Sequence, residues 1–268
     1  MKKNYALLII TLALFSINSC SAFEQNDQEV VIAKNKKQLK IQMQGNPTTG
    51  YTWDYSLSQN ECIYIEENVT YLGNNSKEIE IVGAPSNFEY TIKAKKDGTT
   101  ELVFSYQRPW ENKIPLEQKK YNIQVKNKKI YIQSDFNGEW ILNDFTANKK
   151  PNTIYPVDFT LEQKEKSDLY TCYGNAGVNL FNCTVKINKN TATTSKDFAL
   201  TKMMGSPDEI AFEDLYLELF SSPMNIFTYE QNGKQILVLC NPLKNLCAKY
   251  VQAKKDSAHW IISIAIAI

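Results

Sequence analysis

The chain has one histidine, His259, in 268 residues. Any Ser/His/Asp or Cys/His arrangement would have to be built on that residue. No phosphate loop, nucleophile elbow or zinc-spaced Cys/His cluster accompanies it. An enzyme is therefore not expected, nor is a metal, another cofactor or a small-molecule ligand. Neither sign of charge is in excess, with 30 Lys plus Arg against 29 Asp plus Glu. That balance removes the electrostatic reason to expect nucleic acid or an anionic membrane as a partner. No CxxC pair is present to suggest thioredoxin-like redox chemistry.

No apolar run approaches the roughly 20 residues that a bilayer-spanning helix needs. Met1-Lys2-Lys3 followed by the short apolar run 6–15 has instead the basic start and brief greasy core of a secretory signal, so residues 1–22 are expected to direct export. Two cleavage readings stand side by side. Ile17-Asn18-Ser19-Cys20 resembles a bacterial lipobox, in which Cys20 becomes a lipidated first residue and tethers the chain to the cell envelope. Cys20-Ser21-Ala22 also satisfies the small-x-small rule, with cleavage after Ala22 and release into the periplasm or medium. Either event takes Cys20 out of disulfide chemistry. Cys62, Cys172, Cys183, Cys240 and Cys247 remain, an odd number for an oxidising compartment. Four of them allow three pairings. Cys172 with Cys183 and Cys240 with Cys247 are the expected pairs, the second across a hairpin, and Cys62 is expected to be a buried spare.

From Val30 to Val125 short β-branched or aromatic stretches alternate with turn residues, and nothing has helical period. Seven or eight such strands over about 100 residues suit an immunoglobulin-like antiparallel β-sandwich. Among them, Leu39, Ile41 and Met43 alternate with polar residues, as do Tyr51, Trp53, Tyr55 and Leu57. Asn46-Pro47-Thr48-Thr49-Gly50-Tyr51 is then the loop between two strands. Pro47 fixes its own φ, Gly50 can take the positive φ that closes the turn, and the apex carries two small hydroxyl residues. Such a loop is either an ordinary strand connection or a stiff probe that enters a narrow cleft at low ordering cost. Trp53 is in phase with Tyr51 and Tyr55 and is expected in the core. Trp110 follows Arg108-Pro109 in a loop that Pro109 and Pro115 keep out of a central strand, and the Arg and Trp together have the composition of an interface hot spot.

NPTTGYTW resembles the first signature loop of the chagasin-type inhibitors of papain-like cysteine proteases. Gly83-Ala84-Pro85-Ser86-Asn87-Phe88 is similar to the family's second loop, with less glycine than usual, and Arg108-Pro109-Trp110 matches the third. The resemblance covers about residues 29–126 and implies an immunoglobulin-like fold. It also implies reversible occlusion of a papain-family cleft by Asn46, Pro47, Thr48, Thr49, Gly50 and Tyr51, by Gly83, Ala84, Pro85 and Ser86, and by Arg108, Pro109 and Trp110. The alternative is a non-inhibitory envelope structural or binding lipoprotein that keeps the fold without the target.

The basic stretch Lys126-Asn127-Lys128-Lys129 reads as a boundary rather than a tether. Beyond it, Phe136-Asn137-Gly138-Glu139-Trp140-Ile141-Leu142, the loop Gly177-Val178-Asn179-Leu180-Phe181, Leu200-Thr201-Lys202-Met203-Met204 and an acidic helix resemble the META domain of bacterial envelope lipoproteins. Val178 departs from that pattern, which usually has Cys there. The resemblance implies a small curved sheet or barrel with one helix. Ser206 can cap that helix, expected over residues 207–220, with Ile210, Phe212, Leu215 and Leu219 near one face. The expected division is 1–22, signal; 27–127, inhibitor-like domain; 134–268, META-like domain. The apolar end 261–268 is expected to form a last strand.

Overall fold

The computed structural model describes residues 30–32, 36–59, 61–71, 86–145, 155–165 and 167–253. The first half forms eight strands: β1 (Val30–Ile32), β2 (Gln38–Gly45), β3 (Thr52–Leu57), β4 (Ile63–Tyr71), β5 (Ser86–Ala94), β6 (Gly98–Gln107), β7 (Glu117–Lys126) and β8 (Lys129–Ile132). One sheet runs β1-β2-β5-β4, and the facing sheet contains β3, β6, β7 and β8, with all pairs antiparallel. Period-2 alternation does the work expected of it. Leu39, Ile41 and Met43 on β2 and Phe88, Tyr90 and Ile92 on β5 face Leu102 and Phe104 on β6 and Tyr121, Ile123 and Val125 on β7. Trp53 is buried among them, its indole N–H donating to the Gln44 carbonyl at 3.0 Å. The result is an immunoglobulin-like antiparallel sandwich, as expected.

Asn127 and Lys128, in the stretch expected at the boundary, are both left-handed, at φ 53° and 57°, and turn β7 directly into β8. This is a two-residue hairpin of the kind that matches strand twist. The second half contains β9 (Gly138–Phe145), β10 (Asp158–Gln163), β11 (Leu169–Asn175), β12 (Leu180–Asn188), β13 (Thr191–Thr194), β14 (Ala199–Leu200), α1 (Pro207–Leu217), β15 (Met224–Gln231), β16 (Lys234–Asn241) and β17 (Leu246–Gln252). Eight of these strands close on themselves in the order β9-β10-β11-β12-β13-β15-β16-β17, with β17 returning to β9. Closure removes sheet edges.

β13 is too short to cover β15. It pairs only through Thr191 with Asn225 and Ala192 with Met224, and further along β15 Glu230 and Gln231 pair with Lys120 and Lys119 of β7. The sandwich sheet therefore continues into the barrel wall. Residues on β15 and β16 are buried on both faces as a consequence. Ile226, Leu237 and Leu239 fill the barrel, while Phe227, Tyr229, Ile236, Val238 and Cys240 belong to the core of the sandwich. A strand covered on both sides reads as an unbroken apolar run, as Ile236 to Cys240 does. Asn190, buried in the turn between β12 and β13, stitches the same junction. Its Oδ1 accepts from Ile132 N at 2.9 Å, and its Nδ2 donates to the carbonyls of Ile132 and Ile226 at 2.8 and 3.2 Å.

Ser206 caps α1 in a full capping box with Glu209, and Pro207 occupies the first turn. The expected helix over 207–220 ends earlier, at Leu217, and tightens into a 3-10 turn over Glu218–Ser221. There Asn241 Nδ2 donates to the carbonyls of Glu218 and Leu219 at the end of the helix. The buried face is also rotated from the expected one. Phe212, Glu213, Tyr216, Leu219 and Phe220 face the barrel, and Ile210 and Leu215 are only partly covered.

Cys240 and Cys247 are opposed on β16 and β17 and form the expected disulfide. The second expected bond is absent: Cys172 and Cys183 are directly opposed on β11 and β12, yet both are free thiols buried in the barrel. Their mutual hydrogen bond and burial push the Cys172 thiol well above its ordinary pKa, so the reactive thiolate is suppressed. Cys62 is a buried free thiol, as expected. No helix among the described residues is long and apolar enough to cross a membrane. The segments 1–22 and 261–268, Cys20 and His259 lie outside the described residues.

Candidate functional site: the loops at one end of the sandwich

Three loops leave the sandwich at one end. The first, between β2 and β3, is a 3-10 turn over Pro47–Thr49. Asn46 builds it from below. Its side chain accepts from Thr48 N at 3.2 Å and from the Thr48 hydroxyl, and its carbonyl accepts from Thr49 N at 3.1 Å and Thr49 Oγ1 at 2.6 Å. Gly50, at φ +82°, closes the turn and donates to the Pro47 carbonyl at 2.8 Å. The side chains of Thr48 and Thr49 are left exposed at the apex.

The third loop, 108–116 between β6 and β7, braces the first. Arg108 Nε donates to the Thr49 carbonyl at 3.1 Å, and its guanidinium carbon lies 4.5 Å from the centroid of the Tyr51 ring, a cation–π contact. Arg108 Nη1 pairs with Glu111 at 2.8 Å, and Lys113 holds the other oxygen of the same carboxylate at 2.8 Å. Lys113 first, then Arg108, keep the Glu111 carboxyl below the usual range, and the Glu111 hydrogen bond raises Arg108. Arg108 thus faces the first loop and its own loop, with its fork largely engaged. Trp110 is 71% exposed, so it is not folded back on its own sheet. The edge of its indole rests on Gly50, where a Cβ would stand 2.6 Å from Trp110 Cη2. Ile114 and Leu116 are exposed in the same loop, which extends the apolar surface beyond Trp110.

The second loop is described only at its foot. Ser86 opens β5 opposite Gly45, one residue before Asn46, so this loop enters beside the first. Ser86 is fully buried. Gly83, Ala84 and Pro85 lie outside the described residues. Gly45 is required by the crowding there: a Cβ would meet Phe88 Cε2 at 2.8 Å.

The structure brings together every described residue singled out in the first and third loops. It also adds Tyr106, whose hydroxyl accepts from Asn46 N at 2.8 Å and whose ring packs on Tyr51 and Trp53 at 5.4 and 5.0 Å. Tyr106 reads in the sequence only as the end of an alternating strand. Its role rests on a pairing with Trp53 across β3 and β6 that no local pattern specifies.

Residues 32–125 match the Chagasin family peptidase inhibitor I42, and residues 133–253 match the META domain. The chain belongs to the chagasin family of peptidase inhibitors and carries a META domain after it. It is similar to Amoebiasin-2 of Entamoeba histolytica, at 32% identity over 111 residues, covering 38% of this chain and 82% of that relative. It is also similar to Chagasin of Trypanosoma cruzi, at 36% identity over 76 residues, covering 27% of this chain and 66% of that one. Among solved structures it matches the cysteine protease inhibitor EhICP2 from Entamoeba histolytica, at 32% identity and a TM-score of 0.29, covering 33% of this chain and 78% of that chain.

Proposed function

We propose that this chain is a reversible proteinaceous inhibitor of papain-like cysteine proteases and not itself an enzyme. The observation that carries the reading is the turn at residues 46–50: two exposed threonines on a short apex held by hydrogen bonds of Asn46, Gly50 and Arg108. A papain-like protease binds an extended chain and attacks a carbonyl with its thiolate. A 3-10 apex offers no extended peptide in line for that attack, so the loop fills the cleft without being cut. Little order has to be gained on binding, because Asn46, Gly50 and Arg108 have already set the conformation. Trp110 supplies exposed aromatic area beside the apex. Arg108 acts mainly from within the inhibitor, positioning Thr49 and Tyr51. The loop ahead of the buried Ser86, at residues 83–85, supplies the third contact. An interface of this class buries on the order of 1,600 Å² in total.

The test is titration of the full chain against papain and a cathepsin L-type protease, with Thr49→Arg alongside. Tight inhibition by the parent and at least ~100-fold weaker inhibition by the variant, with unchanged thermal unfolding, is the expected result. Absence of inhibition by the folded parent would leave the reading as an envelope binding lipoprotein. The same reading has the chain exported, with residues 1–22 as its signal and residues 27–127 and 134–268 as its two units. Mass spectrometry of the native N-terminus separates an acylated Cys20 from a free start at Phe23.

A further inference from the structure

The junction between sandwich and barrel carries an unbalanced cluster of positive charge. β8 turns Ile130 and Ile132 into the core and presents Lys129 and Tyr131 together on its other face, two residues apart. Two turns converge on that face, one from each half of the protein. Lys189, in the turn between β12 and β13, sets its Nζ 3.9 Å from the centroid of the Tyr131 ring, and Lys36, just before β2, approaches the same ring to 5.5 Å. Lys36 Nζ also reaches the Thr191 hydroxyl of the barrel at 3.4 Å. Tyr131 itself is 6% exposed, walled in by these side chains.

Several other surface lysines meet carboxylates, as in Lys93 with Glu66, Lys120 with Glu101 and Lys186 with Asp168. Among the described residues none of Lys36, Lys129 and Lys189 forms such a pair. A ring face and a phenol oxygen provide only partial negative charge, worth about 0.5–2 kcal/mol to a cation. Burial first, and then the charges of Lys189 and Lys129, push the Lys36 ammonium below its ordinary pKa, against the opposing influence of Tyr131. The Lys189 hydrogen bond pulls the Tyr131 phenol down in turn. Two ammonium groups, one from each half, held against one buried phenol, with Lys129 two residues away on the same strand face, are complementary to a ligand with several anionic oxygens.

We propose that Lys36, Lys129, Lys189 and Tyr131 form a binding site for a phosphate group at the junction of the two halves. A ligand there contacts the sandwich through Lys36 and Lys129 and the barrel through Lys189, so it binds only when the halves are docked and stabilises that arrangement by mass action. The phosphate is either a soluble anion or the headgroup of an anionic lipid.

Thermal unfolding of the full chain in inorganic phosphate, compared with chloride at equal ionic strength, tests the site. The comparison variants are Lys36→Asn with Lys189→Asn, because both positions have positive φ that Asn tolerates, and separately Lys129→Gln at the one exposed position of β8. The parent is expected to gain about 2 °C or more in Tm in phosphate at roughly ten times Kd, beyond any gain in the variants. Flotation with phosphatidylcholine vesicles, with and without phosphatidic acid, assigns the source. Lysine-dependent flotation on the acidic vesicles identifies a headgroup site, and phosphate stabilisation without flotation identifies a soluble anion. Equal gains in parent and variants reflect only the general stabilising effect of phosphate, and they overturn the proposal, as does no gain in any of them.

Discussion

Tyr121 of the sandwich and Tyr229 of the barrel stack with their ring centroids 5.0 Å apart and their planes 20° from parallel. They stand on β7 and β15, the two strands through which one sheet runs on into the other. Around them Phe227, Ile236, Val238 and the Cys240–Cys247 disulfide complete a core that the sandwich strands alone leave open. A chain ended after Lys126 loses these residues and also β8. Such a fragment is expected to unfold at least ~10 °C below the full chain or to aggregate, because losses of several kcal/mol translate into shifts of that size in a domain of about 100 residues. Circular dichroism melts with light scattering check this. A fragment as stable as the parent would show that the shared core is incidental.

Gly50 and Trp110 test how the loops support one another. Gly50→Ala places a Cβ both at a positive φ and against the indole, so it is expected to cost ~1–2 kcal/mol of stability and to weaken inhibition at least ~10-fold. Trp110→Ala removes an exposed side chain. It should change stability by less than ~0.5 kcal/mol while weakening inhibition. Denaturation midpoints and inhibition constants, measured together on both variants, separate loop shape from contact area.

Glu213 is the buried anchor of the META-like half. Its carboxylate accepts from Val178 N at 3.0 Å, from Asn179 N at 2.6 Å and from Asn179 Nδ2 at 2.7 Å. Asn179 in turn accepts from Thr201 Oγ1 and Met203 N, so one helix residue holds two loops. Glu213→Ala leaves three buried donors without their acceptor and is expected to cost ~3–5 kcal/mol, with Glu213→Gln costing less because one carbonyl oxygen survives. Urea denaturation reads both. Equal costs would show that charge, and not acceptor count, is what the loop requires.

Alkaline pH should unfold the protein through its buried phenols. Burial raises the pKa of Tyr90 in the sandwich and of Tyr216 and Tyr250 in the barrel, where the Tyr250 hydroxyl donates to that of Tyr216 at 3.0 Å. A group with a raised folded pKa stabilises fully below its unfolded pKa, near 10 for tyrosine, and loses that contribution as pH rises further. Each phenol that stays protonated only when folded should remove about 1.4 kcal/mol per pH unit above that point. Absorbance of phenolate at 295 nm is expected to show the buried phenols ionising in one cooperative step that coincides with unfolding. A smooth titration of all tyrosines without unfolding would contradict it.

Several features were legible in the chain because they are local. The alternation of Leu39, Ile41 and Met43 is a property of the pleat, and Ser206-Pro207-Asp208-Glu209 spells a capped helix start without reference to anything distant. Pro47 and Gly50 bracket a turn whose geometry their own backbones dictate. Cys240 and Cys247 flank a tight hairpin, and hairpin register brings them face to face. The same reasoning expected a bond between Cys172 and Cys183. The structure opposes the two on neighbouring strands but leaves both as free thiols in the barrel interior. The helix face was misplaced because an amphipathic reading treats Glu213 as a surface residue, when the donors of a loop some 34 positions away make it a core one.

The sequence by itself determined the alternating strands on either side of the first loop, which residues tip the first and third loops, and that the chain joins a chagasin-like part to a META-like part. These follow from side-chain period, turn chemistry and short motifs, all set within a few residues. Only the tertiary structure decided that the two parts share a sheet and a core, that Arg108 turns inward to brace Thr49, and that Lys36 and Lys189 meet over Tyr131. Those arrangements depend on which strand edges remain open after each half has closed. The contact of Gln231 with Glu117, 114 positions apart, is a property of the assembled sheets and of no segment within them.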